Sequence, residues 1–171
     1  MKAFNFKEYQ EQARETAQYP IIGHGVIYPI LGLVGELGEL MTAIETRKRR
    51  DGSREGIMKE AGDVLWYIAN LAYELEVEIK EVQVPEEFKV TDYMLDRTIM
   101  AYAEHAKKVF RDHHGLFTRY EEEEHISKIL HSYCAFLYAW RLDIEEVARM
   151  NIEKLRDRKE RGVIQGSGDN R

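Results

Sequence analysis

From Ile27 to Ile44 the chain carries only two charges, Glu36 and Glu39, within a stretch otherwise made of apolar, small or uncharged residues. Such a run asks to be buried, and a bare buried carboxylate is costly unless it is paired, protonated or bound to a metal. A second stretch poses the same problem: between Ala61 and Tyr73 the only charge is Asp63, with Glu60 just ahead of it. Whatever fold the chain adopts must answer these acids.

The spacing around them is helical. Ile30, Leu33, Leu37, Leu40, Met41 and Ile44 recur on one face behind Pro29, which suits a first helical turn, and this predicts a helix ending near Arg50. The run Arg47 to Arg50 reads as a solvated helix end, and Asp51-Gly52-Ser53 makes the turn. The next helix begins around Arg54 and carries Glu60, Asp63, Tyr67 and Asn70 on one stripe, with Leu65, Ile68, Leu71, Ala72 and Leu75 as apolar cover. Gly32 and Gly35 leave room for another backbone to approach.

The remaining segments are helical too. Asn5 with Glu8 predicts a capping box opening a helix over residues 6–18, followed by a loop from Tyr19 to Val26 that holds Pro20, Gly23 and Gly25. A later helix is expected from Thr91 or Asp92 to just before Gly115, and another from about Glu124, the run Glu121 to Glu124 reading as its solvated start. Cys134 falls on the inward face of that helix and reads as core. Asp143 with Glu146 opens the last helix, and a glycine-rich tail follows over residues 162–171. No strand pattern is convincing; Val82-Gln83-Val84 is the one short candidate. The fold class expected is all-α, an antiparallel helical bundle forming a single domain over residues 1–171.

Composition narrows the partners. With 33% charged and 44% hydrophobic residues and a net charge of −6, the chain reads as a soluble globular protein, and nothing marks it as a nucleic-acid binder, which would usually be basic. The single cysteine cannot form an internal disulfide and no basic-then-apolar leader opens the chain, so a reducing cytoplasm is expected. The 27–44 run approaches the length of a membrane span, but two acids with Pro29, Gly32, Gly35 and Gly38 argue against lipid.

An internal echo crosses the chain. Glu78-Ile79-Lys80-Glu81-Val82 matches Asp143-Ile144-Glu145-Glu146-Val147, and the same shift sets His125 opposite Glu60 and Lys128 opposite Asp63. If this is a duplication, only the first copy kept its acids. The region of about 76–137 thus reads as inserted or duplicated.

Two helices supplying E-x-x-E (Glu36, Glu39) and E-x-x-D (Glu60, Asp63) could bring four carboxylates face to face if they pack antiparallel. Neither helix carries Lys or Arg beside its acids. An all-oxygen set suits a hard divalent cation, Mg²⁺ or Mn²⁺, and the lack of an E-x-x-H step argues against a di-iron centre. Because Mg²⁺ takes further oxygens from bound phosphates, a nucleoside di- or triphosphate is the natural substrate.

These residues resemble the MazG-like branch of the all-α nucleoside triphosphate pyrophosphohydrolases. The resemblance rests on Leu31-Gly-Leu-Val-Gly-Glu36-Leu-Gly-Glu39, on Lys59-Glu60-Ala-Gly-Asp63-Val-Leu-Trp-Tyr67, and on Asn151-Ile-Glu-Lys154-Leu-Arg-Asp-Arg158-Lys-Glu-Arg161-Gly162 with the tail Gly166-Ser-Gly-Asp169. It implies Mg²⁺-dependent cleavage of a nucleoside triphosphate, usually a deoxynucleotide, to monophosphate and pyrophosphate. It also implies that Glu36, Glu39, Glu60 and Asp63 hold the metal, one of them orienting the attacking water, and that Asn151, Lys154 and Arg158 approach the phosphates. Asn70 and Tyr67, which extend the acidic stripe, and His24, in the loop before it, are candidates to touch the sugar or base. A homo-oligomer, dimer or tetramer, is expected. Members that are compact lack the region of about 76–137, which here could stand in for a partner subunit's helices as in the dimeric deoxyuridine triphosphatases. Narrower alternatives are a deoxyuridine triphosphatase, a hydrolase clearing modified nucleotides, or a non-catalytic nucleotide- or metal-binding helical protein.

Overall fold

The two acid-bearing segments are long helices packed side by side in the computed structural model, which describes residues 2–23, 25–49, 54–89 and 94–163. The order is β1 (Lys2–Phe4), α1 (Phe6–Arg14), α2 (Ile27–Arg49), α3 (Arg54–Glu74), β2 (Val82–Val84), α4 (Leu95–Asp112), α5 (Arg119–Ala139) and α6 (Ile144–Glu160). The protein is all-α, 71% helical with one two-stranded ribbon. Helix α3 is the centre, touching α1, α2, α5 and α6, while α4 lies against α5 and α2.

Local chemistry sets the ends. Asn5 caps α1 by accepting from the Glu8 amide at 3.1 Å, and its side-chain Nδ2 donates to the Glu8 carboxylate at 3.0 Å. The two residues read as a capping box do pair, the return bond using the Asn5 side chain in place of its backbone N–H. Asp143 caps α6, accepting from the amides of Glu145 and Glu146. Helix α1 stops four residues short of the expected 6–18. The Ala13 carbonyl is taken by Thr16 Oγ1 at 2.8 Å and the Trp66 indole N–H at 3.2 Å, so the chain turns tightly there.

Two expectations need correction. Val82–Val84 is a strand, paired antiparallel with Lys2–Phe4 so that Phe4 lies opposite Val82, both buried. Three residues are too few to show a period, and the pairing joins distant parts of the chain. The acidic run 121–124 lies inside α5, and Glu122 is not solvated: it is 0% exposed, accepting from the Tyr102 hydroxyl at 2.9 Å and bonded to His105 Nε2 at 2.8 Å. One residue of the run faces α4, and a buried carboxylate there requires those partners. The expected start of α4 at Thr91 or Asp92 lies outside the described residues.

The core runs along α3. Ile57, Leu65, Ile68 and Leu71 interlock with Leu33 and Leu40 of α2, Ile126 and Ile129 of α5, and Val147 of α6. Cys134 is buried with them, and burial pushes its thiol up to about 12. By length and composition Ile27–Arg47 could cross a membrane, but in this fold its apolar side packs on α3. Tyr133 ties α5 to α3 by donating its hydroxyl to the Ala61 carbonyl at 2.8 Å. Tyr133→Phe should lower the free energy of unfolding by about 1 kcal/mol in urea titration without changing helical content.

Candidate functional site

Helices α2 and α3 run antiparallel. Gly32 faces Tyr67, Glu36 faces Asp63 and Glu60, and Arg47 shares a cleft with Gly56 and Ile57. The first crossing is unusually close: a Cβ on Gly32 would sit 2.0 Å from the Tyr67 ring, so only glycine lets that ring lie across α2. This register brings the acids together.

Carboxylate oxygens of Glu36, Glu60 and Asp63 lie within 4.8 Å of one another. Glu39, three residues past Glu36, is exposed and stands outside this triad; with Glu60 it lines a cleft of about 420 Å³ between α2 and α3. The Glu36 carboxyl is pushed up to about 8, first by burial and then by the charges of Asp63, Glu39 and Glu60, with Lys154 opposing them. Three acids that repel one another in a partly buried space form a donor set fit for a hard divalent cation.

Lys59 of α3 pairs with Glu55 at 3.2 Å, and the cation that meets Asp63 comes from α6. Lys154 Nζ reaches both Asp63 oxygens, at 2.7 and 2.5 Å. Asn151 Nδ2 donates to Asp63 Oδ1 at 2.8 Å, while its Oδ1 accepts from the buried Tyr9 hydroxyl at 3.0 Å. Gly62 makes this approach possible, since a Cβ there would come within 2.9 Å of the Asn151 Cβ. Tyr9, Asn151 and Lys154 therefore hold Asp63 at a fixed orientation from two further helices.

The other candidates fall in different places. Tyr67 lies one turn from Asp63, its hydroxyl 3.4 Å from that of Tyr28, and burial together with that contact raises it well above the usual phenol range. Tyr28 stacks on Tyr19 at 4.7 Å, and Trp66 meets Tyr67 edge-on, so the N-terminal end of α2 carries an aromatic wall beside the acids. Asn70 turns away from the triad: it is 0% exposed, donating to the Trp66 carbonyl at 2.9 Å and accepting from Arg14 at 2.9 Å. Arg158 is buried one turn beyond Lys154. His24 and the tail motif through Asp169 lie outside the described residues.

Glu74 is the residue that sequence reasoning missed. Its carboxylate gathers the amides of Gly23 and Gly25 at 2.9 and 3.0 Å, the Tyr19 hydroxyl at 2.7 Å and Arg14 at 3.0 Å. Burial works against the charged form, but these donors outweigh it and hold the carboxyl below its usual range. The loop before α2 is thereby tied to the end of α3. The signal was present, because the steps from Glu60 through Asp63, Tyr67 and Asn70 continue to Glu74.

Residues 29–88 match the MazG nucleotide pyrophosphohydrolase domain. The matched segment covers α2 from Pro29 onward, α3 and β2, and holds all four acids of the two motifs. Among curated proteins the chain is similar to the "Gene 37 protein" of Mycobacterium phage L5, 29% identical over 174 residues that cover 95% of this chain and 96% of the relative. That likeness therefore runs on through α4 and α5, beyond the segment that matches the family. No solved structure matches.

The raised Glu36 carboxyl carries a sign. Between the ordinary value of 4.5 and about 8 the folded chain holds a proton there that the unfolded chain has lost, so stability should fall as pH rises through that window. Thermal melts of the metal-free protein between pH 5 and pH 8 should show a declining midpoint, and Glu36→Gln should flatten it. Separately, Glu74→Ala should raise hydrogen exchange at the Gly23 and Gly25 amides and cost about 2–4 kcal/mol by stranding buried donors.

Proposed function

We propose that this chain is a Mg²⁺-dependent nucleoside triphosphate pyrophosphohydrolase, converting a (deoxy)nucleoside triphosphate to its monophosphate and pyrophosphate. The observation that carries this is the convergence of Glu36, Glu60 and Asp63 within 4.8 Å, beside an open cleft and inside the MazG segment. Glu36, Glu60 and Asp63 would hold the cation, with Glu39 at the cleft edge. Bound there, Mg²⁺ (or Mn²⁺) would polarise the α-phosphate and lower the pKa of a water.

The chain's own groups supply the rest. A water oxygen attacks the α-phosphorus, its proton passes to one of the four carboxylates, and the bond to the bridging oxygen breaks so that pyrophosphate leaves. Lys154 is a mobile point charge on a four-carbon stem, able to leave Asp63 for a phosphate oxygen. Asn151 keeps Asp63 oriented when it does. The aromatic wall of Tyr28 and Tyr67 offers a face to the nucleoside, which favours the nucleoside lying toward that end and the pyrophosphate toward Arg47. Ile27 and Leu31 leave an apolar strip of α2 exposed, the latter at 67%, and this supports a second copy covering it in a homo-oligomer.

With Mg²⁺ and each of the eight common triphosphates in turn, the expected products are monophosphate and pyrophosphate; diphosphate with orthophosphate would overturn the reading. Glu39→Gln and Asp63→Asn should each lower kcat by about 100-fold while leaving the far-UV spectrum and cooperative melting intact. Light scattering coupled to size exclusion should report more than one copy, and Leu31→Glu should shift the particle toward the monomer.

A further inference from the structure

The echo noted in the sequence has a counterpart in the backbone. Helix α3 ends with the Val77 amide donating to the Ala72 carbonyl at 2.9 Å and the Glu76 amide to Tyr73 at 3.0 Å, with Glu76 at φ 55°. Helix α5 ends with the Leu142 amide donating to the Leu137 carbonyl at 2.8 Å and the Arg141 amide to Tyr138 at 3.0 Å, with Arg141 at φ 55°. Each position in the second turn is the first shifted by about 65 residues. This bond pattern is a common way to end a helix, and α6 shares it at Gly162; what sets these two turns apart is a non-glycine residue in the left-handed region, where glycine is the usual choice. Tyr73 and Tyr138, related by the same shift, are each 47% exposed.

The contact between the helices falls one residue off that shift. In the first hairpin Gly32 faces Tyr67; the shift carries that pair to Arg97 and Ser132, and Thr98, next to Arg97, bonds Ser132 through their hydroxyls at 3.0 Å. The counterparts of Glu36, Glu60 and Asp63 become Ala101, His125 and Lys128. At the place corresponding to the acid site lies a cavity of about 650 Å³, which Ala101, His125 and Lys128 help to line. Its charged lining residues are Arg97, Lys128 and the acid Glu124, a set with a positive balance where the first site is acidic.

We infer that α4 and α5 are a second copy of the metal-binding hairpin, rebuilt to take a nucleotide without a metal. Arg97 lines the cavity and has no carboxylate partner among the described residues, while Lys128 is shared with Glu124 at 2.5 Å. The Thr98 hydroxyl donates to the Met94 carbonyl at 2.9 Å and contacts Ser132, so both hydroxyls are engaged within the protein, while Ala101, Tyr102 and Ile129 supply apolar and aromatic surface. The counterpart of Glu39 is Glu104, which does not line the cavity and pairs instead with Lys107 at 2.6 Å. A cationic rim over an apolar wall suits a ligand with both an anionic phosphate chain and a flat apolar body, rather than bare phosphate.

The test uses the full-length protein in excess EDTA and the fluorescent nucleotide mant-dATP, followed by anisotropy. The wild type should bind one equivalent. Arg97→Glu combined with Lys128→Glu, both on exposed side chains, should weaken that binding by about tenfold or more. Glu36→Gln with Asp63→Asn, which removes the first site, should leave it unchanged. Absence of binding in EDTA, or binding lost in the Glu36/Asp63 variant and kept in the Arg97/Lys128 variant, overturns the inference. Pyrophosphate displacing mant-dATP with equal affinity would also overturn it, since the nucleoside would then not be read. Because the assay contains no metal and no turnover, a failed hydrolysis assay and a failed second site are separate results.

Discussion

Repulsion among carboxylates is the constraint around which this protein is arranged. Glu36, Glu60 and Asp63 are pressed together by the packing of α2 on α3, and the apolar residues that drive that packing deny the acids full access to water. Hydrophobic burial along α3 supplies the force that holds like charges close. The surroundings then divide the load: Glu36 takes it as a raised proton affinity, whereas Asp63 is matched by the ammonium of Lys154 and the amide of Asn151. The crowded oxygens of this triad form a donor set of the kind that fits a hard divalent cation.

The positions from which these partners come matter as much as their charge. Lys154 and Asn151 reach Asp63 from α6, about 90 residues downstream in the chain. Tyr9 reaches Asn151 from the first helix. The acid site therefore depends on the ends of the chain closing over the α2–α3 pair, although the match to known MazG domains ends at residue 88. Helix α6, which carries the Asn151 to Arg158 motif, completes the site from outside the matched segment.

Much of this was legible from residue order because helical period is a local property. The faces of α2 and α3, the capping boxes at Asn5 and Asp143, and the stripe from Glu60 to Asn70 all follow from spacing, and the acids stood out because their neighbours are apolar. Non-local pairings were not legible. The β1–β2 ribbon joins residues some eighty positions apart, Glu122 is buried by a partner on another helix, and the neutralisation of Asp63 comes from α6. Asn70 shares a stripe with Asp63, yet Arg14 from α1 draws it to the opposite side, which spacing along α3 alone could not reveal. Glu74 marks the boundary case: its place on the stripe was readable, but not the loop amides waiting for it.

The contact between Gly32 and Tyr67 has a consequence for how such a site can change over generations. Any side chain at position 32 collides with the ring, and a smaller residue at 67 would leave a hole against α2. The two positions are therefore locked into one inheritance: a lineage can leave the glycine–tyrosine pair only by altering both together. In the second copy inferred above, the corresponding positions hold Arg97 and Ser132, a joint departure of this kind.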